Sequence, residues 1–229
     1  MSLRQGQILV LNGIDYHIES LLGRGAVTDN YRALAGANLP PMVVRLLRDE
    51  LSANSREEAA LRHEAAVLTQ LNVLEDALWP AAADLPARIA RALVTVTQRG
   101  VIALLDHGTD ASGRPFAVHE LAPAAFAQPP VVTMDDERRC FEVFAALLSV
   151  VALCHSQGIA LLDFDPASGK ANRVRVAWSA DGARLAHFKL IDWNVTGGPE
   201  ERPRDLPLLG GHLALMLFQY PLSAGRAAF

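Results

Sequence analysis

The stretch KLIDWN, residues 189–194, decides how this chain is read. An apolar pair, Leu190–Ile191, runs into an acid, Asp192, and a large aromatic and an amide follow, Trp193 and Asn194. An apolar strand that delivers a carboxylate to a cleft is a common way to hold a hard divalent cation. Asp192 is therefore a candidate magnesium ligand, and its surroundings decide whether it is a working ligand or the relic of one.

Working outward, KLIDWN closes a run of short apolar segments, IALLDF (159–164), RVRVAW (173–178), the turn SADGAR and HFKLIDW (187–193), which read as two small hairpins. DDERRCFEVFAALLSVVALCHSQG (135–158) precedes them. It begins acidic and ends at a glycine, as a helix macrodipole and a C-terminal cap prefer. DLPLLGGHLALMLFQY (205–220) follows them and reads as a buried helix with Pro207 in its first turn, where proline is tolerated. The first third is punctuated differently. YHIESLLG (16–23), NYRALA (30–35), the turn GANLPP and MVVRLL (42–47) predict an antiparallel meander. NSREEAALRHEAAVLTQL (54–71) then changes period, with Ala60, Leu61, Glu64, Ala65, Leu68 and Leu71 at helical spacing and Asn54 or Ser55 as N-cap. Residues 72–99 read as an insertion or helical extension. VIALLDHG (101–108) and PFAVHELA (115–122) restore the strand signal.

Composition bounds the function. The chain has 229 residues, 51% of them hydrophobic, enough for one domain or two lobes sharing a cleft. A net charge of −4 is no footprint for nucleic acid. The most apolar run, Val143–Cys154, is too short to span a bilayer, and no signal peptide opens the chain. Cys140 and Cys154 lie about 21 Å apart along one predicted helix and cannot pair there. A cytoplasmic protein is expected. Only Lys170 and Lys189 are lysines, so arginine supplies nearly all of the positive charge.

Taken in order, these segments resemble the protein-kinase superfamily from about Tyr16 to Tyr220. LLGRGAVTDNYRAL (21–34) resembles the glycine-rich loop and second strand, VVRLL (43–47) the third strand, and LRHEAAVLTQL (61–71) the helix that carries the family's glutamate. CHSQGIALLDFDP (154–166) resembles the catalytic loop, KLIDWN the strand into the DFG motif, and RDLPLLGGHLALML (204–217) the start of the buried C-lobe helix, with Asp205 as its aspartate. The resemblance implies a single α+β, two-lobed domain over 1–229. Its N-lobe, about 1–120, would be a small antiparallel sheet of about five strands with one helix. Its C-lobe, about 121–229, would be truncated and mostly helical.

The resemblance also implies roles. Gly23 and Gly25 would cover nucleotide phosphates, Arg45 with Glu64 would stand for the lysine–glutamate pair, and the linker at Glu120 and Ala122 would border the nucleotide. Asp163 would be the catalytic aspartate, with Asn172 and Asp192 as the metal ligands. Several positions depart from the pattern. Thr28 stands for the third glycine, Asn30 for a valine against adenine, and Val43 for an alanine. Arg45 replaces lysine, with a wider and differently aimed cation. Leu161 and Leu162 replace the histidine and arginine before Asp163, and Asp165 replaces the loop lysine, placing an acid where a transferring phosphate needs a cation. Asn172 lies nine positions past Asp163, further than the family spacing, with Lys170 inside the extra residues. Only 12 residues separate Asp192 from Asp205, where the family fits an activation segment.

The resemblance with these departures implies a pseudokinase, a signalling or scaffold module that binds a protein partner or a second copy of itself through the C-lobe, with no cofactor. The apolar helix from Asp205 is the surface expected to need that cover. The alternative is an active phosphotransferase that uses ATP and magnesium, on serine or threonine of a protein or on a small molecule as in the aminoglycoside-phosphotransferase branch.

Overall fold

The structure, a computed structural model, describes residues 3–51, 55–76, 100–124, 133–162, 173–182, 184–193 and 195–218, without the side chains of residues 55, 74–76 and 215–218. The chain divides into two compact units, Met1–Val96 with Ile102–Leu121 and Thr97–Val101 with Ala122–Phe229.

The first unit is built on an antiparallel sheet of β1 (Ile8–Leu11), β2 (Ile14–Arg24), β3 (Thr28–Leu34), β4 (Met42–Leu47), β5 (Leu104–Thr109) and β6 (Pro115–Glu120). Their spatial order is β1-β2-β3-β4-β6-β5. The expected meander is present but starts one strand early. Asn12 and Gly13, at φ 46° and 78°, link Leu11 to its partner Ile14. Asn-Gly is the pair best suited to a two-residue turn with both central residues at positive φ. The Asn12 side chain then donates to Asp106 Oδ1 at 2.8 Å and to the His107 carbonyl at 3.2 Å, joining the first hairpin to β5 and curling the sheet. Gly108 allows that approach, since a Cβ there would lie 3.3 Å from Asn12 Oδ1 and 3.2 Å from the Phe116 ring. Inside the curl, Tyr16, Ile18, Tyr31, Val44, Phe116 and Val118 form a closed apolar core.

The other face of the sheet carries α1 (Ser55–Asp76). Leu61, Glu64, Ala65, Leu68 and Leu71 are all buried, as helical spacing requires of one stripe. The helix runs past the expected end at 71. Asn72 accepts from Leu104 N at 2.7 Å and donates to the Ile102 carbonyl at 3.3 Å, which ties the helix to the start of β5. The remainder of the expected insertion, 77–99, lies outside the described residues.

The second unit holds α2 (Met134–Ser156), the hairpin β7 (Val174–Trp178) and β8 (Leu185–Leu190), a 3-10 turn at Pro199–Arg204, and α3 (Asp205–Phe218). α2 begins at a capping box, in which Thr133 and Asp136 each accept from the other's backbone, with Asp135 and Glu137 beside them. Past its other end, Gly158 takes φ 73°, where a Cβ would be strained. One stripe of α2 is buried, including Cys140, Val143, Leu147 and Cys154, and neither cysteine is in a disulfide. α2 is the one helix among the described residues that is long and apolar enough to cross a membrane. Of the strand expected at 159–164, the described residues 159–162 form a single bridge, Ala160 to Gly197, and 163–164 lie outside the described residues. The two units together make an α+β protein.

Gly100 sits under α2: a Cβ there would lie 2.2 Å from Val150 Cγ2 and 3.6 Å from the Phe188 ring. Val150 is β-branched and buried, with little freedom to turn away. Gly100→Ala should therefore lower the urea-unfolding free energy by about 1–3 kcal/mol. Unchanged stability would show that this contact is looser than the packing indicates.

Candidate functional site

In the first unit the strand–helix pair is formed. Arg45 on β4 donates from Nη1 to Glu64 Oε1 on α1. The Glu64 side chain is fully buried and that of Arg45 is 13% exposed. A carboxylate in that position needs a cation and hydrogen bonds to offset its lost hydration. Arg45 lies opposite Ala117 on β6, and Val43 lies opposite His119, so His119 faces the same layer as Arg45. His119 is 4% exposed, and its Nε2 has no hydrogen-bond partner among the described residues. Burial, with the Arg45 charge adding to it, holds the imidazole well below its usual range and therefore neutral.

The glycine-rich segment is a tight hairpin. Gly25 N donates to the Thr28 carbonyl at 2.8 Å, and a Cβ on Gly25 would lie 3.2 Å from that oxygen. One amide expected to face phosphate is thus used inside the turn. Gly23 differs, because a Cβ there meets nothing within 4 Å. Asn30, opposite Gly23 on β3, accepts from Thr28 Oγ1 at 3.0 Å, so part of its expected hydrogen-bonding demand is met locally. Glu120 is buried and accepts from Ala103 N at 2.8 Å, which makes it a strand tie as well as a linker residue. Ala122 is half-buried, just beyond the end of β6.

In the second unit, Asp192 takes φ 69°, a left-handed conformation that aspartate tolerates better than most residues. Its Oδ2 accepts from Arg173 Nη2 at 3.1 Å. Arg173 immediately precedes β7, its side chain is 9% exposed, and its carbonyl accepts from Ile191 N at 3.0 Å. Trp193 is buried, 1% exposed, with Nε1 donating to the Leu190 carbonyl at 3.0 Å. Asp205 is buried at the start of α3. One of its oxygens, Oδ2, accepts from Leu161 N at 2.8 Å and lies 2.8 Å from His155 Nε2, so it anchors the chain two residues ahead of Asp163. Asp163, Asp165, Lys170, Asn172 and Asn194 lie outside the described residues. Among the described residues, no group of three or more His, Cys, Asp and Glu is placed to hold a metal ion. The sequence reading missed Arg173, His119 and His155. Only Arg173 left a signal, as a cation adjoining the expected metal ligand Asn172.

The sequence matches no protein-family model and no curated protein.

Removing Arg45 while keeping Glu64 strands a buried carboxylate. Arg45→Met should cost about 3–5 kcal/mol in chemical denaturation, and Arg45→Met with Glu64→Leu should recover most of it. A single variant close to wild type would show that Glu64 is stabilised by other groups. His119 gives a pH signature. The unfolded imidazole takes up its proton near pH 6.5 and the folded one only well below that, so the unfolded state binds more protons in between. Stability should be flat above about pH 7 and fall as pH drops through about 6.5, by up to about 1.4 kcal/mol per unit, and His119→Gln should flatten that limb. Equilibrium unfolding at a series of pH values reads the slope, and an unaltered slope in the variant would remove His119 as its source.

Proposed function

We propose that this chain is a protein-kinase-like module whose phosphoryl-transfer residues have become structural, and that it acts by binding a protein partner. The observation that carries the reading is the buried Arg45–Glu64 pair between the fourth strand of an antiparallel sheet and its single described helix. That is the strand–helix contact the resemblance implies, with a guanidinium in place of an ammonium. Arg45 is nearly enclosed and already engaged, which favours a structural cation over one that grips a phosphate. The internal use of the Gly25 amide points the same way.

The partner reading rests on α2. Phe141 and Leu148 are 46% and 42% exposed, and Ala145 and Ala152 are exposed beside them. The 4-3-4 spacing of these four residues forms an apolar seam of the kind another helix fills. On α3, Leu206 is also exposed, at 65%, while Leu209 is buried, so the surface expected there is only partly open within the described side chains. Two buried cysteines outside any disulfide suit a reducing compartment, and we place the module in the cytoplasm.

One observation favours the second reading, an active phosphotransferase. Gly23 has neither a positive φ nor a neighbour that would exclude a side chain, so close approach of a ligand would explain it best. A thermal-shift titration with ATP and magnesium separates the two, because a ligand of the native state must raise the melting temperature. No rise is expected at millimolar nucleotide. A rise of several degrees that Gly23→Val removes would show nucleotide binding and favour the phosphotransferase instead. Leu148→Glu should abolish self-association in light scattering, or capture of a partner, while changing monomer stability by less than about 0.5 kcal/mol. Undiminished association would move the contact surface away from α2.

A further inference from the structure

We propose that Arg173 is a resident cation that holds Asp192 in place of a divalent metal ion, so that this acid centre neither binds nor requires magnesium. The inference deepens the kinase-like reading and rests on it for the expectation that a metal would sit at Asp192.

The residues do not fit an open metal site. A hard divalent cation takes carboxylate oxygens that are free to turn toward it and keeps several waters around them. Here Oδ2 of Asp192 is engaged by a guanidinium at 3.1 Å whose side chain is 9% exposed. The arrangement is fixed from both ends. The Arg173 carbonyl accepts from Ile191 N at 3.0 Å, so the arginine and the residue before Asp192 are tied through their backbones. On the far side of Asp192, Trp193 is buried and bonded to the Leu190 carbonyl. Asp192 therefore sits between two anchored neighbours, at a φ of 69°. A metal ion on this carboxylate would have to displace the guanidinium from Oδ2 or bind through the other oxygen beside a fixed like charge. The guanidinium cannot make way by losing a proton, because arginine stays charged in proteins. No second cluster of acids among the described residues offers the ion an alternative.

The test measures Mn2+ alone, without nucleotide, on the full chain, by the electron paramagnetic resonance signal of the free ion. Wild type should show no binding up to millimolar Mn2+, and Asp192→Asn should leave that unchanged. Arg173→Gln should gain binding at least tenfold tighter than wild type, and Arg173→Gln with Asp192→Asn should lose it again. Arg173→Lys, which keeps a cation beside Asp192, should behave as wild type. Circular dichroism reports whether each variant is folded. Wild-type binding that Asp192→Asn weakens would overturn the proposal even if Arg173→Gln failed to fold, and a folded Arg173→Gln with no gain would overturn it as well. Nucleotide is absent from every arm. A failure of the kinase-like reading would therefore appear in ATP titrations, and a failure of this proposal in the Mn2+ signal of wild type.

Discussion

The buried Glu64 carboxylate is the constraint around which the first unit is arranged. A charge with no exposed surface must be matched by a cation held at the right place, and Arg45 supplies it from the neighbouring strand. The sheet–helix interface is thus fixed by a directional pair as well as by the apolar stripe of α1, and a rotation of the helix that apolar packing alone could absorb would separate the charges. Burial first, and the Arg45 charge second, account for His119. A protonated imidazole in that layer would face a guanidinium without water to screen it, so the ring stays neutral.

Two other acids are used in the same way. Glu120 holds the Ala103 amide where β6 ends, and Asp205 holds the Leu161 amide and His155 where α3 begins. Each carboxylate satisfies backbone or side-chain donors at a junction between elements, where regular ladders leave donors open. Glu120 and Asp205 are thus hydrogen-bonded into the fold, and their retention needs no chemistry to explain it.

Much of this was legible in the sequence. The change from strand punctuation to helical spacing located α1 and put Glu64 on its buried stripe, opposite the strand that carries Arg45. The acidic start and glycine stop bounded α2 closely. The strand Ile8–Leu11 was not read, although Asn12-Gly13 is a strong hairpin signal, because four residues before it are too few to show a period. The Arg173–Asp192 pair was not readable either. Its members are 19 positions apart and meet only through the register of β7 on β8, which is offset by an irregularity between Ala177 and Trp178 that the sequence does not announce. Hydrogen bonds such as Glu120 to Ala103 depend on a rotamer choice that periodicity does not encode.

The strand order also bears on how the chain reaches this structure. β1 to β4 pair with sequence neighbours through short turns, and β5 pairs with β6 across a short connection, but β6 must dock beside β4 from far along the chain. Closing so long a segment carries an entropic cost that local hairpins avoid. Arg45 and Glu64 are only 19 residues apart, so their contact can assemble on the early hairpins before β6 arrives. The helix would then cover one face of β4 during the slowest step, while the strand edge stays open to pairing with another chain until β6 docks.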